Sequence, residues 1–143
     1  MILDRRMQKM ELKTISLPTR QIEIEVYTSS TETSENVPAI LLLHELFGVL
    51  DCYREDAQDL ADRGYLVYVP NLFSGGAVKY CIRAMVTKAG RTNAADSDMN
   101  KEIHALLDAL KADPRSNGRL GMLGQCLTGG YVIQMAKRDD MLA

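Results

Sequence analysis

The sequence lacks several features that mark large classes of protein. No continuous apolar run exceeds five residues, far short of the ~20 that a membrane-spanning helix needs. No apolar segment follows the two arginines near the N-terminus, so a secretory signal peptide is not expected. The formal charge is only -2, which gives no electrostatic reason to expect binding to nucleic acid or to an anionic membrane.

Cysteine and histidine are also scarce. Three cysteines occur at wide spacing, and such a set predicts neither a disulfide framework nor a metal cluster. We therefore expect reduced thiols, a cytoplasmic location, and neither a metal nor another cofactor. The two histidines, His44 and His104, both precede the last cysteine, Cys126. Their position matters because a cysteine nucleophile is commonly served by a histidine base.

The residues that are present predict one globular domain over residues 1–143. Apolar residues make up 46% of the chain and charged residues 25%, as is ordinary for such proteins. Strict alternation from Gln21 to Tyr27 predicts a half-buried strand. This strand can pair with Leu12–Leu17 through a turn at Pro18. Residues 1–36 are therefore interpreted as a hairpin and a polar loop, and residues 37–143 as the core.

The core shows an alternation of strands and helices. The continuous apolar runs AILLL (39–43) and YLVYV (65–69) are typical of parallel strands covered on both faces. A helix between them is predicted to be capped by Asp51 and ended by Gly64. Its apolar residues are Tyr53, Ala57, Leu60 and Ala61. A second helix carries Val78, Ile82, Met85 and Val86, and a third runs from about Ser97 to Ala112 with Met99, Ile103, Leu106, Leu107 and Leu110 inward.

The chain then returns to the sheet. Asn117–Gly118 is predicted to turn into the strand Arg119–Leu123, and a last helix comes after Cys126. This order indicates an α/β fold with a mainly parallel sheet, an N-terminal antiparallel hairpin, and helices on both faces. Ligands of such sheets bind beyond the carboxyl ends of the strands. Residues 44–48 and 124–127 lie there.

Cys126 occupies a glycine-rich turn between predicted strand and predicted helix. A Gly-x-nucleophile-x-Gly turn in this position is the nucleophile elbow of α/β hydrolases. Here Gly124 holds the first position, Thr128 replaces the second glycine, and Gly129 comes next. A helix N-terminus beneath the thiol favours thiolate, and the Leu127 N–H can stabilise an oxyanion. The alternative is an inert small residue in a tight crossover, as buried cysteines usually are.

Glu45 lies just after an apolar strand, at the mouth of the same crevice. A carboxylate in that position is costly unless it is solvated or used. A functional group and a loop glutamate in water are therefore both open interpretations.

Two segments together resemble the dienelactone hydrolases, cysteine-dependent members of the α/β-hydrolase superfamily. They are HELFGVLDCYREDAQDLADRGYLVYVPNLF (44–73) and SNGRLGMLGQCLTGG (116–130). The resemblance runs from about Val37 to the C-terminus and implies an α/β-hydrolase fold that is incomplete here. It implies that Cys126 is the nucleophile and that Glu45 contacts the resting thiol and helps to generate thiolate. The oxyanion hole would be formed by the N–H groups of Leu46 and Leu127. The implied reaction is hydrolysis of a small ester or lactone through a thioester, without a cofactor.

The sequence departs from the family pattern on the C-terminal side of the nucleophile. In this fold the triad acid and then the histidine come after the nucleophile, but no histidine lies beyond Cys126. His104 is expected on a helix surface. His44, a weaker candidate for a substitute base, should point to the opposite sheet face from Glu45. Asp139 and Asp140 are expected to be solvated.

Other family features are left open. Cys52 and Cys81 are expected to be packing residues, and Arg83 and Arg91 both lie in the region where the family has substrate-binding arginines.

Three interpretations are consistent with these residues. The chain is the N-terminal portion of a dienelactone-hydrolase-like enzyme with impaired turnover, a non-catalytic folding or interaction module, or an enzyme completed by another chain. Without later strands, residues 119–123 would form an exposed sheet edge, so we expect self-association there.

Overall fold

The computed structural model describes residues 9–33, 35–45, 47–73 and 98–141. The strands are β1 (Met10–Ser16), β2 (Gln21–Tyr27), β3 (Val37–Leu43), β4 (Leu66–Pro70) and β5 (Ser116–Gly124). The helices are α1 (Asp51–Asp62), α2 (Asp98–Lys111) and α3 (Gly129–Met135), with a 3₁₀ turn at Cys126–Thr128. The predicted helix around residues 78–86, with Cys81, Arg83 and Arg91, lies outside the described residues. In the part that is described, no helix is long and apolar enough to cross a membrane.

The five strands form one mixed sheet in the order β1-β2-β4-β3-β5. The predicted hairpin of β1 and β2 is confirmed, with Ile15 opposite Ile22, although β1 begins two residues earlier than predicted. The hairpin joins the sheet through an antiparallel pairing of β2 with β4. β3 is parallel to both β4 and β5. The carboxyl ends of these three parallel strands therefore share one edge of the sheet.

Helices cover both faces of the sheet, as predicted. On one face, α1 packs Tyr53, Ala57 and Ala61 against residues of β2, β3 and β4. On the other face, α2 buries the five apolar residues predicted for it, and Met135 of α3 joins the same cluster. The continuous apolar run of β3 predicted this arrangement. In the structure its residues alternate between two apolar layers, with Leu41 and Leu43 in one and Leu42 in the other.

One local prediction for α1 needs correction, and one buried residue was not predicted. The N-cap residue is Leu50, not Asp51, and Asp51 instead pairs with Arg54 inside the first turn. Leu60 is partly buried and packs against the same cluster as the other three apolar residues, as predicted. Gln58 is buried as well, because its side-chain amide donates to the Thr28 carbonyl and its oxygen accepts from the Lys9 N–H. The predicted end at Gly64 is confirmed by its N–H bond to the Ala61 carbonyl.

The start of β5 also differs from the prediction. The strand begins at Ser116, so Asn117–Gly118 lies inside it instead of turning the chain into it. Val37 of β3 pairs with Ser116 whereas Ala39 pairs with Leu120. The extra residues of β5 form a bulge, and Gly118 accommodates it at φ +83°, a conformation that glycine adopts at little cost.

Candidate active site

Cys126 lies at the tip of a sharp strand-to-helix turn. Its φ of +52° makes it one of only two non-glycine residues with positive φ in the described chain. The preceding Gln125 is extended, with φ -120° and ψ 147°, and the next residues turn into helix at once. A left-handed conformation costs a non-glycine residue about 1–3 kcal/mol and persists only where the surroundings impose it. The turn therefore presents the Cys126 side chain outward, and the side chain is exposed.

Thr128 holds the turn in this conformation. Its buried hydroxyl accepts from the Gln125 N–H at 3.0 Å and lies 2.9 Å from the Gln125 carbonyl, to which it donates. The Thr128 N–H also reaches the Gln125 carbonyl, at 3.1 Å. Sequence reasoning treated Thr128 only as a departure from the glycine pattern. In the structure its hydroxyl closes the turn around Cys126 by bonding to both the N–H and the carbonyl of Gln125.

Gly124 allows the strand and the helix to approach each other closely. A Cβ atom at this position would lie 2.8 Å from the Thr128 carbonyl oxygen and 2.8 Å from Cγ2 of Val132. Real Cβ atoms essentially never lie so close to other heavy atoms, so the position requires glycine. At Gly129, by contrast, a Cβ would meet only the Gly124 oxygen, at an ordinary 3.5 Å.

The strand register brings Glu45 and Cys126 to the same edge of the sheet. Leu43 of β3 is the parallel partner of Gly124 of β5. Glu45 and Cys126 each lie two residues beyond these partners, on strands about 4.8 Å apart. Glu45 is half-buried. No hydrogen bond joins its carboxylate to the thiol among the described residues.

The two predicted oxyanion donors differ in how far the structure describes them. Leu127 is the second residue of the 3₁₀ turn, where backbone N–H groups have no acceptor within the turn. Leu46 lies outside the described residues.

His44 is buried, and both of its ring nitrogens are engaged. Nε2 accepts from the Leu72 N–H at 3.0 Å, so Nδ1 carries the proton and donates to the Glu45 carbonyl at 2.6 Å. Burial lowers the pKa of this imidazole below its ordinary value, and the bond to the Glu45 carbonyl opposes that shift only in part. His44 is therefore a neutral structural histidine in this arrangement and does not serve as a substitute base.

Tyr53 is the residue at this edge that sequence reasoning missed. Its ring belongs to the apolar stripe of α1, as predicted, and its hydroxyl accepts from the Glu45 N–H at 3.1 Å. Burial raises the pKa of this phenol. The spacing of apolar residues could place the ring in the core, but it carried no information about where the hydroxyl would find a partner.

The remaining candidates lie away from Cys126 or serve structural roles. His104 is exposed on α2, as predicted, and its Nδ1 lies 3.0 Å from the Arg138 guanidinium. Asp140, predicted to be solvated, instead pairs with Arg138 and Lys111, which hold the pKa of its carboxyl well below the usual range. Asp139 is exposed. Cys52, predicted to pack, is also exposed, because it points away from the stripe that begins at Tyr53.

A cleft of about 350 Å³ lies behind the elbow. It is lined by Leu42, Asp56, Asp59, Leu60, Arg63, Leu123, Gly124 and Gln125. The cleft runs between α1 and the end of β5, and neither Cys126 nor Glu45 contributes to it. Within the described residues, no group of three or more His, Cys, Asp or Glu side chains could hold a metal ion.

Two curated proteins match most of this chain in sequence. Carboxymethylenebutenolidase 1 of Cupriavidus pinatubonensis is 29% identical over 113 residues, a match covering 75% of this chain and 48% of that protein. Carboxymethylenebutenolidase of Pseudomonas putida is 26% identical over 108 residues, covering 71% and 45% respectively. The chain thus spans about half the length of these relatives.

Solved structures show the same fold. The structure called m3DLH has a TM-score of 0.72 at 21% identity, with 94% of this chain and 56% of that one covered. A dienelactone hydrolase-like promiscuous phosphotriesterase from metagenomic libraries, P91, has a TM-score of 0.71 at 18% identity, covering 90% and 54%. At these identities the likeness concerns the fold alone.

The family match extends over most of the chain. The model of the dienelactone hydrolase family matches residues 24–143, which include β3, the Glu45 segment and the Cys126 elbow. The predicted resemblance is therefore confirmed, and this chain belongs to the dienelactone hydrolase family.

Proposed function

We propose that Cys126 is the nucleophile of an ester or lactone hydrolase that works through a thioester. The observation that carries the proposal is the elbow geometry. Cys126 is exposed at φ +52° between β5 and a helical turn, at matched register with Glu45. A backbone conformation of this cost is expected where a side chain must be presented to a substrate. Membership of the family supports an ester or lactone as the substrate class.

The proposed reaction has two steps. The Cys126 thiolate attacks the carbonyl carbon of the ester, and the carbon–oxygen bond to the alcohol breaks as the thioester forms. The departing alkoxide takes up the proton that the thiol has lost. Water then attacks the thioester carbonyl, which releases the carboxylic acid and restores the thiol. In a lactone the alcohol and acid remain parts of one product.

Three groups would assist the first step. The Leu127 N–H comes directly after the nucleophile, where it can donate to the oxyanion of the tetrahedral intermediate. Leu46 is proposed as the second donor, on the strength of its position next to Glu45. The Glu45 carboxylate would accept the thiol proton as the substrate enters. These roles rest on the family resemblance and on the shared sheet edge.

The second step should be slow in the 143-residue chain. His44 is buried with both nitrogens hydrogen-bonded, and His104 is exposed and contacts Arg138. Neither is available to activate water at Cys126. General-base assistance is commonly worth about 10²–10⁴-fold, so we expect acylation to outrun hydrolysis of the thioester.

Burst kinetics with an activated phenyl ester test the proposal. We expect release of about one equivalent of phenol per chain, and slow turnover thereafter. Cys126→Ala should abolish the burst, whereas Cys52→Ala, which removes the other exposed thiol of the described residues, should retain it. A burst that survives Cys126→Ala would exclude Cys126 as the nucleophile.

A second candidate function is association through β5, in a homo-oligomer or in an enzyme completed by another chain. β5 ends the sheet in the described part of the chain, and its residue Leu123 is 45% exposed beside the cleft. The strand is not wholly open, because the Leu120 N–H donates to the Asp140 carbonyl and Leu120 forms a bridge with Met141. Light scattering of the wild type and of Leu123→Glu tests this proposal, because a charge at that position should dissociate the oligomer.

A further inference from the structure

We propose that Tyr53 and His44 are positioning residues that fix the backbone of Glu45 and so set where its carboxylate stands relative to Cys126. This inference rests on the proposed role of Glu45 as the carboxylate partner of the thiol. It gives these two residues a role that neither the family resemblance nor the sequence pattern assigned to them.

The Tyr53 hydroxyl holds the peptide group that precedes Glu45. It accepts from the Glu45 N–H at 3.1 Å, and the Tyr53 ring is only 2% exposed. The ring packs with Ala57 and Ala61 of α1 against the sheet. Because the ring cannot move without opening that layer, the hydroxyl offers Glu45 a fixed acceptor.

His44 holds the peptide group on the other side of Glu45. Its Nδ1 donates to the Glu45 carbonyl at 2.6 Å, and the same carbonyl accepts from the Gly48 N–H at 3.3 Å. The opposite ring nitrogen is tied to the Leu72 N–H, just beyond the end of β4. Phe73 and Tyr53 contact the imidazole edge-on, with centroids 5.2 and 6.4 Å away.

Together these bonds restrain both backbone dihedrals of Glu45. A residue whose N–H and C=O are both hydrogen-bonded to fixed partners has a fixed Cα–Cβ direction. The position of its carboxylate then varies only with the side-chain rotamer. Two residues further along, Phe47 is 71% exposed. A purely structural need for the tyrosine would be met by the ring alone, since phenylalanine fills the same volume.

The charge of the alkylating reagent provides a readout that does not depend on turnover. Rates of Cys126 labelling by anionic iodoacetate and by neutral iodoacetamide are measured at pH 7.5 and low salt, with the site resolved by peptide mass spectrometry. A carboxylate held near the thiol slows iodoacetate selectively. Glu45→Gln should raise the iodoacetate-to-iodoacetamide ratio about three- to fivefold, the effect of one unit charge a few ångströms away in a water-like medium. Loosening of the elbow would change both rates alike.

The positioning residues are tested in the same assay. Tyr53→Phe should raise the ratio at least about twofold, because the released carboxylate spends less time at the thiol. In a Glu45→Gln background the same substitution should add nothing. Tyr68→Phe is the matched control, because it removes another buried hydroxyl, one that donates to Asp113 at the opposite end of β5. It should leave the ratio unchanged. If Tyr53→Phe fails to fold, His44→Asn is judged by the same criteria.

Three results would contradict the inference, and they have different meanings. A rise in Glu45→Gln without a rise in Tyr53→Phe overturns the positioning role and leaves the proposed function intact. An equal rise from Tyr53→Phe in both backgrounds shows that its effect does not run through Glu45. No change in Glu45→Gln shows that this carboxylate does not face the thiol, which overturns both the positioning role and the proposed role of Glu45.

Discussion

The substitution Gly124→Ala isolates the close approach on which the elbow depends. The backbone of Gly124 does not lie in the left-handed region, so alanine is acceptable there as far as the dihedrals are concerned. The added methyl group is the whole perturbation. It would lie 2.8 Å from the Thr128 carbonyl oxygen, 3.0 Å from the Thr128 carbonyl carbon and 2.8 Å from Cγ2 of Val132.

The expected cost depends on which atoms must move. Two of the three contacts are with backbone atoms of the elbow, which cannot rotate away as the end of a flexible side chain can. Overpacking of this kind costs about 1–3 kcal/mol, and the lower chain entropy of unfolded alanine offsets about 0.4–1 kcal/mol. We therefore expect a net loss of about 1–2 kcal/mol in the free energy of unfolding, with the Cys126 turn displaced.

Gly130→Ala is the matched control, because a Cβ at that helical position would meet nothing within 4 Å. It should leave stability unchanged or raise it by up to about 1 kcal/mol. Urea unfolding measures both variants, and iodoacetamide labelling monitors the reactivity of Cys126 with Cys52 as an internal reference. Equal stability of the two variants, with Cys126 labelled at the wild-type rate in both, would refute the steric requirement for glycine at position 124.

Three further predictions concern other parts of the molecule. Acidification from pH 7.5 to 5.5 should destabilise the fold through His44, because burial lowers the imidazole pKa below the ordinary 6.5, and the unfolded chain then binds a proton that the native state does not. The free energy of unfolding should fall below about pH 6.5, by up to about 1.4 kcal/mol per pH unit. Urea melts should show this fall in His104→Gln, which keeps His44, and not in His44→Gln. Thr128→Val should cost about 1–3 kcal/mol in urea unfolding, since it removes the buried hydroxyl that accepts from the Gln125 N–H, and Thr128→Ser should cost less than half as much. In hydrogen exchange, the Leu120 amide should be protected even in a monomer, whereas protection of Met122 should rise with concentration only if copies associate through β5.

The fold could be predicted largely because its patterns are local and periodic. The alternation from Gln21 to Tyr27 predicted a strand with those bounds, since one face of a hairpin is apolar and the other polar. Continuous apolar runs predicted the strands covered on both faces. The apolar spacing of the helix now described as Asp98–Lys111 identified its five apolar core residues correctly.

The features that could not be predicted depend on partners distant along the chain. Asn117–Gly118 signals a change of direction, but only the register with β3 decides that it forms a bulge inside the strand. Gln58 is buried because carbonyl and amide groups of other segments meet it. The Tyr53 hydroxyl and the Thr128 hydroxyl act on the candidate site through hydrogen bonds that their residue types permit but their spacing does not reveal.

The central claim is that Cys126 carries the acyl group. The most direct test incubates the protein with an activated acyl ester, quenches it in acid, and locates the adduct by intact-protein and peptide mass spectrometry. We expect one acyl group per chain, attached at Cys126, removed by neutral hydroxylamine as a thioester is, absent in Cys126→Ala and retained in Cys52→Ala. An adduct at Cys52 or on lysines, or one of equal yield in Cys126→Ala, would contradict the claim.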